Sequence, residues 1–233
     1  MRRLPFRAPD AVAPDTALVL APHADDESLG CGGTIALASS CGRPPVIVCV
    51  TDGIGSHPSS PSYPPAQLRA VREAELCTAG KLLGVEADRV HFLGLPDRHA
   101  PLSGPCFDTA VARVVQLVRA FTVGTVFASW EHDPHCDHEA TARLGVAVAA
   151  ATGVNLLFYP VWGWLLPRDH ILPIDAIDGM RLDISPMLPR KRAAIEAHRS
   201  QFSDVITDDP QGFHLPKALL ATFKQPFETF LTA

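Results

Sequence analysis

His23-Ala-Asp-Asp-Glu27 sets one imidazole and three carboxylates within five residues. Carboxylates packed this closely repel one another, and a nearby cation relieves that repulsion. A second polar cluster, His132-Asp-Pro-His-Cys-Asp-His138, lies about a hundred residues further on and adds three imidazoles. A hydrolytic metal centre takes three protein ligands from His, Asp, Glu or Cys and keeps one position for water. His23 and Asp26, three apart at a turn, face one point, and His138 supplies a third ligand at the start of the next helix. Asp25 is then left beside the metal as general base. His135 is left to stabilise an oxyanion or protonate a leaving amine, its ring oriented by Asp137. Zinc is the expected ion, with Fe2+ or another divalent metal as alternatives. His132 and Cys136 stay open as rival ligands.

Each residue also has a plain structural role. Asp25, Asp26 and Glu27 suit the first turn of a helix. Asp137 suits the N-cap of a helix over 139–152. A single His after a strand is more often a satisfied surface or core residue than a ligand. None of these accounts explains why both clusters follow apolar runs, 16–20 and 125–130, at equivalent places. Ligands bind at the carboxyl ends of strands in open α/β sheets.

The elements that must position these groups alternate. Short apolar runs predict strands over 16–21, 45–51, 89–94, 124–130 and 154–160. Longer patterns predict helices over 30–40, 67–83, 108–122 and 139–152. That order indicates βαβ units and a mainly parallel sheet flanked by helices, an α/β fold in one domain over 1–233. Leu68, Val71, Leu76, Ala79, Leu82 and Leu83 form one stripe, and Gly84 is a natural stop. Val111, Val114, Val115 and Val118 form another. Beyond 160 the pattern predicts a strand over 179–185, a helix over 189–198 and a helical tail over 215–231 broken by Pro226. The Pro- and Ser-rich loop 53–66 follows a strand, so it overhangs the same sheet edge as the two clusters.

Composition narrows the function classes. A hydrophobic content of 47% suffices for one core. Net charge is −5 without a basic block, which argues against nucleic acid or an anionic membrane as partner. The first seven residues are basic, but no apolar stretch follows, so neither signal peptide nor membrane span is expected. Six scattered cysteines without a CxxC pair suit reduced thiols and a cytoplasmic location.

The two motifs together resemble those of the LmbE-like (PIG-L) N-acetylglucosaminyl de-N-acetylases. That family carries His-Pro-Asp-Asp-Glu after its first strand and His-Pro-Asp-His after a later one. Here both prolines are replaced, by Ala24 and Cys136, which loosens the turns but removes no ligand. Thr51-Asp-Gly53, Arg72-Glu73, Phe92-Leu-Gly-Leu-Pro-Asp97, Lys191 through His198, Ser200, Gln201 and Pro226-Phe-Glu228 also fit, so the likeness spans most of the chain. It implies a Rossmann-like fold and a mononuclear zinc deacetylase. His23, Asp26 and His138 would be ligands, Asp25 the base, and His135 the transition-state partner held by Asp137. Arg72 would lie near the acyl group or substrate. Its plain alternative is a solvated helix residue.

The partner expected from this resemblance is a small N-acetyl sugar, free or conjugated; a homo-oligomer is left open. Loops 53–66, 97–107 and 160–176 belong to this chain and would set substrate choice. Trp162 and Trp164, flanked by Tyr159, serve equally as sugar platform or core. A close rival is an amidase on a sugar–thiol conjugate or another N-acyl amine. A nonhaem iron oxygenase shares the two-His, one-carboxylate set, and a metal module without turnover is the third class. Asp25 and the His135–Asp137 pair favour hydrolysis over both.

Overall fold

A computed structural model describes residues 1, 3–167, 169–172, 177–203 and 205–232. In chain order the elements are β1 (Phe6–Arg7), α1 (Pro9–Val12), β2 (Thr16–Ala21), α2 (Asp26–Ser40), β3 (Val46–Thr51), α3 (Pro65–Leu83) and β4 (Val90–Leu95). Then come α4 (Pro105–Ala120), β5 (Val123–Ser129), α5 (Cys136–Thr152), β6 (Asn155–Tyr159) and β7 (Gly179–Asp183). The last are α6 (Leu188–Ala197), α7 (Arg199–Phe202), α8 (Lys217–Thr222) and β8 (Phe227–Leu231). All eight strands form one sheet in the order β1-β7-β8-β6-β5-β2-β3-β4. Every neighbouring pair is parallel except those made by β8.

β2, β3 and β5 are almost wholly buried, as strands covered by helices on both faces must be. From β2 the chain moves to β3 on one side, whereas β5 lies on the other. The crevice above the carboxyl ends of β2 and β5 is therefore the switch point of the sheet, where such folds bind ligands. Both polar clusters open into it.

Two close approaches hold the first helix against this sheet. A Cβ on Gly30 would lie 2.1 Å from the Tyr159 ring, so only glycine lets α2 seat on β6. Tyr159 in turn donates its hydroxyl to Leu20 O at 2.8 Å. On the same helix, Gly33 N–H and the Thr34 N–H and hydroxyl donate to Glu228 on β8 at 2.6–2.8 Å. Lys191 on α6 completes the arrangement with a 2.6 Å ion pair to Glu228, both groups buried.

The expected strands and helices are present, with three differences. α2 and α5 begin at Asp26 and Cys136, three to four residues before the expected 30 and 139, so the candidate ligands Asp26 and His138 stand on first helical turns. Leu82 is 41% exposed and falls outside the α3 stripe, its place taken by buried Arg72 and Gly80. The tail is not one broken helix. The helix stops at Thr222, four residues before Pro226, and Phe227–Leu231 runs antiparallel between β6 and β7, pairing Leu231 with Phe158 and with Gly179. Among the described residues no helix is long and apolar enough to cross a membrane.

The Lys191–Glu228 pair generates a stability expectation. Removing one partner leaves the other charge buried and unpaired, which costs about 3–5 kcal/mol. Glu228→Ala should lower the unfolding free energy by that amount in denaturant titration. A loss below ~1 kcal/mol would show that the pair does not carry the α2–α6–β8 junction.

Candidate active site

The loop after β2 carries His23 and Asp25, and Asp26 opens α2. Asp25 holds φ 155°, a backbone state that strains a residue with a Cβ. Its N–H donates to Glu27 Oε2 at 3.0 Å, and its carbonyl accepts from Ser28 and Leu29. Glu27 is held at Oε1 by the Ser28 hydroxyl (2.6 Å) and by His198 Nε2 (2.8 Å) at the end of α6. The strained turn is thus fixed from below by a buried Glu–His pair.

His23 and His138 share one geometry. His23 places one ring nitrogen, Nε2, 3.1 Å from Asp137 Oδ2, and the other, Nδ1, 3.1 Å from Asp26 Oδ2. His138 places Nδ1 2.9 Å from Asp133 Oδ2, and Nε2 3.4 Å from the same Asp26 oxygen. Each histidine has one nitrogen on a buried supporting carboxylate and the other aimed at Asp26. The buried His138 Nε2 has no hydrogen-bond partner. This is the arrangement of metal-ligating histidines, whose outer N–H donates to a carboxylate and whose inner lone pair faces the ion. The ligand atoms of His23, Asp26 and His138 lie within 4.8 Å of one another.

His23, His135 and Asp137 form a second cluster within the same limit. Its carboxylate is already engaged. Asp137 accepts from Arg98 N–H (2.7 Å), Ala100 N–H (3.1 Å) and His23. The first set fits a cation better. His132 belongs to neither group and packs edge-on against Trp130. Cys136 is exposed and donates its thiol to Arg98 O.

Burial opposes charge throughout the site, and the partners decide the outcome. Burial alone lowers the His138 pKa, but Asp26 and Asp133 outweigh it and raise it to about 9. His23 is likewise raised well above its usual value by Asp137, Asp26 and Asp97 against burial. Asp26 is held below the carboxylate range, because the two histidines overcome its desolvation. Asp25 goes the other way. Burial and the Asp26 charge push it up to about 7, against the pull of Arg72.

One expectation is corrected here. Asp137 does not hold the His135 ring with its carboxylate, which lies 3.9 Å from His135 Nδ1. His23 and the backbone after β4 have claimed it. Instead the Asp137 N–H donates to His135 Nδ1 at 3.2 Å, and His135 serves as N-cap of α5. An Nδ1 that accepts leaves the ring proton on Nε2. Burial and the neighbouring His23 and His138 lower the His135 pKa to about 4, against the weaker pull of Asp137 and Asp26. The ring is a neutral donor, not an imidazolium.

Arg72 is buried, not solvated. Nη1 donates to Gly53 O (3.0 Å), Nη2 donates to Ala24 O (3.2 Å), and Nη2 lies 3.6 Å from Asp25 Oδ2. Glu73 pairs with Arg69 instead. Arg72 therefore ties the β3 loop to the β2 loop and flanks Asp25.

Two contributors were not singled out from sequence. Asp133 supports His138 and also accepts from Val161, Trp162 and Gly163 N–H, so it locks the loop after β6 to the site. Asp97 Oδ1 lies 3.4 Å from His23 Nε2, and its Oδ2 accepts from Gly55 N–H. The available signal was position alone, since each Asp directly follows a strand end.

These groups open into a cavity of about 240 Å3. His23, Asp25 and His135 line it beside Ser56, Trp162 and Phe213. The loop 53–66 does overhang the site. Asp208 and Asp209 fasten it through Ser60, Ser62 and Ser59. Trp162 meets Phe213 at 5.9 Å between ring centres, forming an apolar wall; both tryptophans pack against the core, but only Trp162 lines the cavity. Part of the segment 160–176, residues 168 and 173–176, lies outside the described residues.

Comparison with known proteins identifies relatives that match most of the chain. Residues 18–149 match the family model described as PIG-L, GlcNAc-PI de-N-acetylase. The chain is 30% identical over 198 residues to a probable N-acetyl-alpha-D-glucosaminyl L-malate deacetylase 2 of Bacillus anthracis, covering 82% of this chain and 83% of that protein. It is also 30% identical over 247 residues to a 1D-myo-inositol 2-acetamido-2-deoxy-alpha-D-glucopyranoside deacetylase of Saccharomonospora viridis, covering 84% and 87%. Among solved structures it is similar to the N,N'-diacetylchitobiose deacetylase of Pyrococcus horikoshii, with a TM-score of 0.66, 25% identity and coverage of 85% of this chain and 74% of that one.

The His138 environment carries a pH dependence. Its raised pKa stabilises the metal-free fold fully below about 6.5, and that contribution is lost as pH rises through about 9. Protons on the ring compete with a cation over the same window. The rise in melting temperature on adding Zn2+ should therefore grow between about pH 6 and pH 9. Asp133→Asn should weaken metal binding roughly 10- to 100-fold, the usual loss for a ligand's supporting carboxylate. Chelator competition reads the second and thermal denaturation the first. A pH-independent shift or unchanged affinity would contradict the assignment.

Proposed function

The chain belongs to the PIG-L family of GlcNAc-PI de-N-acetylases, and on that premise we propose that it removes the acetyl group from an N-acetylated glucosamine conjugate in a divalent-metal-dependent hydrolysis. The observation that carries this reading is the paired histidine geometry, with two carboxylate-backed rings converging on Asp26 and one inner nitrogen left without a partner. His23, Asp26 and His138 would hold the ion, most simply zinc. Bound there, it supplies Lewis acidity and water acidified to a pKa of about 7.

The chain's own residues do the rest. Asp25 is the general base. Its raised pKa places it near neutrality, where a base works best. Arg72 and the Glu27 contact fix its position. His135 presents Nε2–H, which suits hydrogen bonding to the oxygen that gains charge as the amide carbon becomes tetrahedral. Asp137 and Asp133 keep the two histidines in one tautomer. Trp162 and Phe213 form a wall for the sugar's apolar face.

The test is acetate release from N-acetylglucosamine conjugates by protein of known metal content. Asp25→Asn keeps shape and removes basicity, so kcat should fall at least ~100-fold with the metal retained. His135→Ala should lower kcat and kcat/KM together, again with metal intact. His138→Ala should lose the metal. Near-normal turnover of fully loaded Asp25→Asn protein would overturn the assignment of the base.

A further inference from the structure

Two guanidinium groups line the cavity, and they differ in state. Arg72 is buried, bonded to Gly53 and Ala24 carbonyls and drawn to Asp25. Arg98 is exposed, and none of the ion pairs among the described residues includes it. Its neighbour Asp97 turns away to Gly55 N–H and His23. The Arg98 side chain instead runs along the Gly55 backbone, where an added Cβ would meet its Nε at 3.1 Å.

The backbone beneath this free cation is fixed. Arg98 holds φ 65°, the left-handed region, where a residue with a Cβ is strained and glycine is not. Its N–H donates to Asp137 Oδ2 at 2.7 Å, and its carbonyl accepts from the Cys136 thiol and from His99 Nδ1. Asp137 is the carboxylate that supports His23. The stem of Arg98 is therefore one side chain away from a candidate metal ligand. A glycine would fill this backbone position with less strain, so the side chain itself needs a use.

The size of the cavity indicates what that use is. About 240 Å3 is small beside ordinary small-molecule sites of roughly 300–1,000 Å3. A sugar ring with its acetamide occupies such a space, and whatever is joined to the sugar projects over the rim where Arg98 stands. We propose that Arg98 is a specificity residue whose guanidinium seats a carboxylate or phosphate group on the substrate's aglycone, the part beyond the N-acetylglucosamine ring. The inference rests on the deacetylase reading. A guanidinium offers a planar fork of N–H donors matched to two oxyanion oxygens, and among the described residues no carboxylate pairs with this one.

The experiment uses matched N-acetylglucosaminides with a carboxymethyl aglycone, its methyl ester and a phosphate-bearing aglycone. Acetate release should favour the acid over the ester by at least ~10-fold in kcat/KM, mainly through KM, and the preference should shrink as salt rises. The phosphate arm separates the two anion sources. Arg98→Gln should collapse the acid-to-ester ratio toward one, and Arg98→Lys should retain part of it. Calorimetric binding of the corresponding de-acetylated acid and ester supplies a readout that needs no turnover, and it should show the same Arg98-dependent ratio. Equal efficiency on acid and ester by the unaltered protein, or a preference that survives Arg98→Gln, overturns the inference while leaving the deacetylase reading in place. No acetate release from any of the three, with Arg98-dependent binding of the acid retained, overturns the deacetylase reading and leaves an anion site at Arg98.

Discussion

One oxygen atom organises the site. Asp26 Oδ2 accepts the His23 N–H at 3.0 Å and receives the inner nitrogens of His23 and His138 at 3.1 and 3.4 Å. A buried carboxylate is tolerable only when donors or cations surround it. Four further aspartates, at 25, 97, 133 and 137, crowd the same volume. Asp97, Asp133 and Asp137 each accept at least one backbone N–H in addition to facing a histidine. Among the described residues the Asp25 carboxylate has only one ion-pair partner, the Arg72 guanidinium at 3.6 Å. Unequal access to donors sets Asp25 apart from the others, and burial beside the Asp26 charge pushes its carboxyl up to about 7.

The same aspartates serve as the mortar of the loops. Each strand on this side of the sheet ends in a segment that must leave regular structure and still satisfy its N–H groups. Asp97 captures the loop after β3, Asp133 the loop after β6, and Asp137 the loop after β4. Each of these carboxylates also touches a candidate ligand histidine. Loop order and ring orientation are thus set by one group of side chains, and a disturbance in any loop reaches the candidate ligand histidines through a single residue.

The sequence made the local part of this legible. A His and an Asp three apart after an apolar run, and a His opening a later helix, need only turn and strand geometry to be paired. The alternation of strands and helices sufficed for the sheet and for the crevice. What stayed hidden was allocation. Whether Asp137 serves His135 or His23 depends on how the backbone at Arg98 and Ala100 approaches, which no spacing within 132–138 encodes. Asp133 reaches His138 within the motif, but the contacts that lock it come from Val161, Trp162 and Gly163, which the motif does not encode. The final strand was read as helix because Lys217–Thr222 is helical, and the pairing that makes Phe227–Leu231 extended comes from β6 and β7.

That inserted strand bears on how the molecule is made. β8 lies inside the sheet, between β6 and β7, and its Glu228 clamps the helix that begins at Asp26. During vectorial synthesis β2, β5 and β6 emerge well before it. At ~5–20 residues per second, the nascent sheet waits on the order of several seconds with an open edge on β6, where Phe158 and Tyr159 are destined for burial. Throughout that interval α2 lacks its clamp and the carboxylates at its start lack a finished floor. The β6 edge therefore stays open, and α2 stays without its Glu228 contacts, until the eighth strand docks.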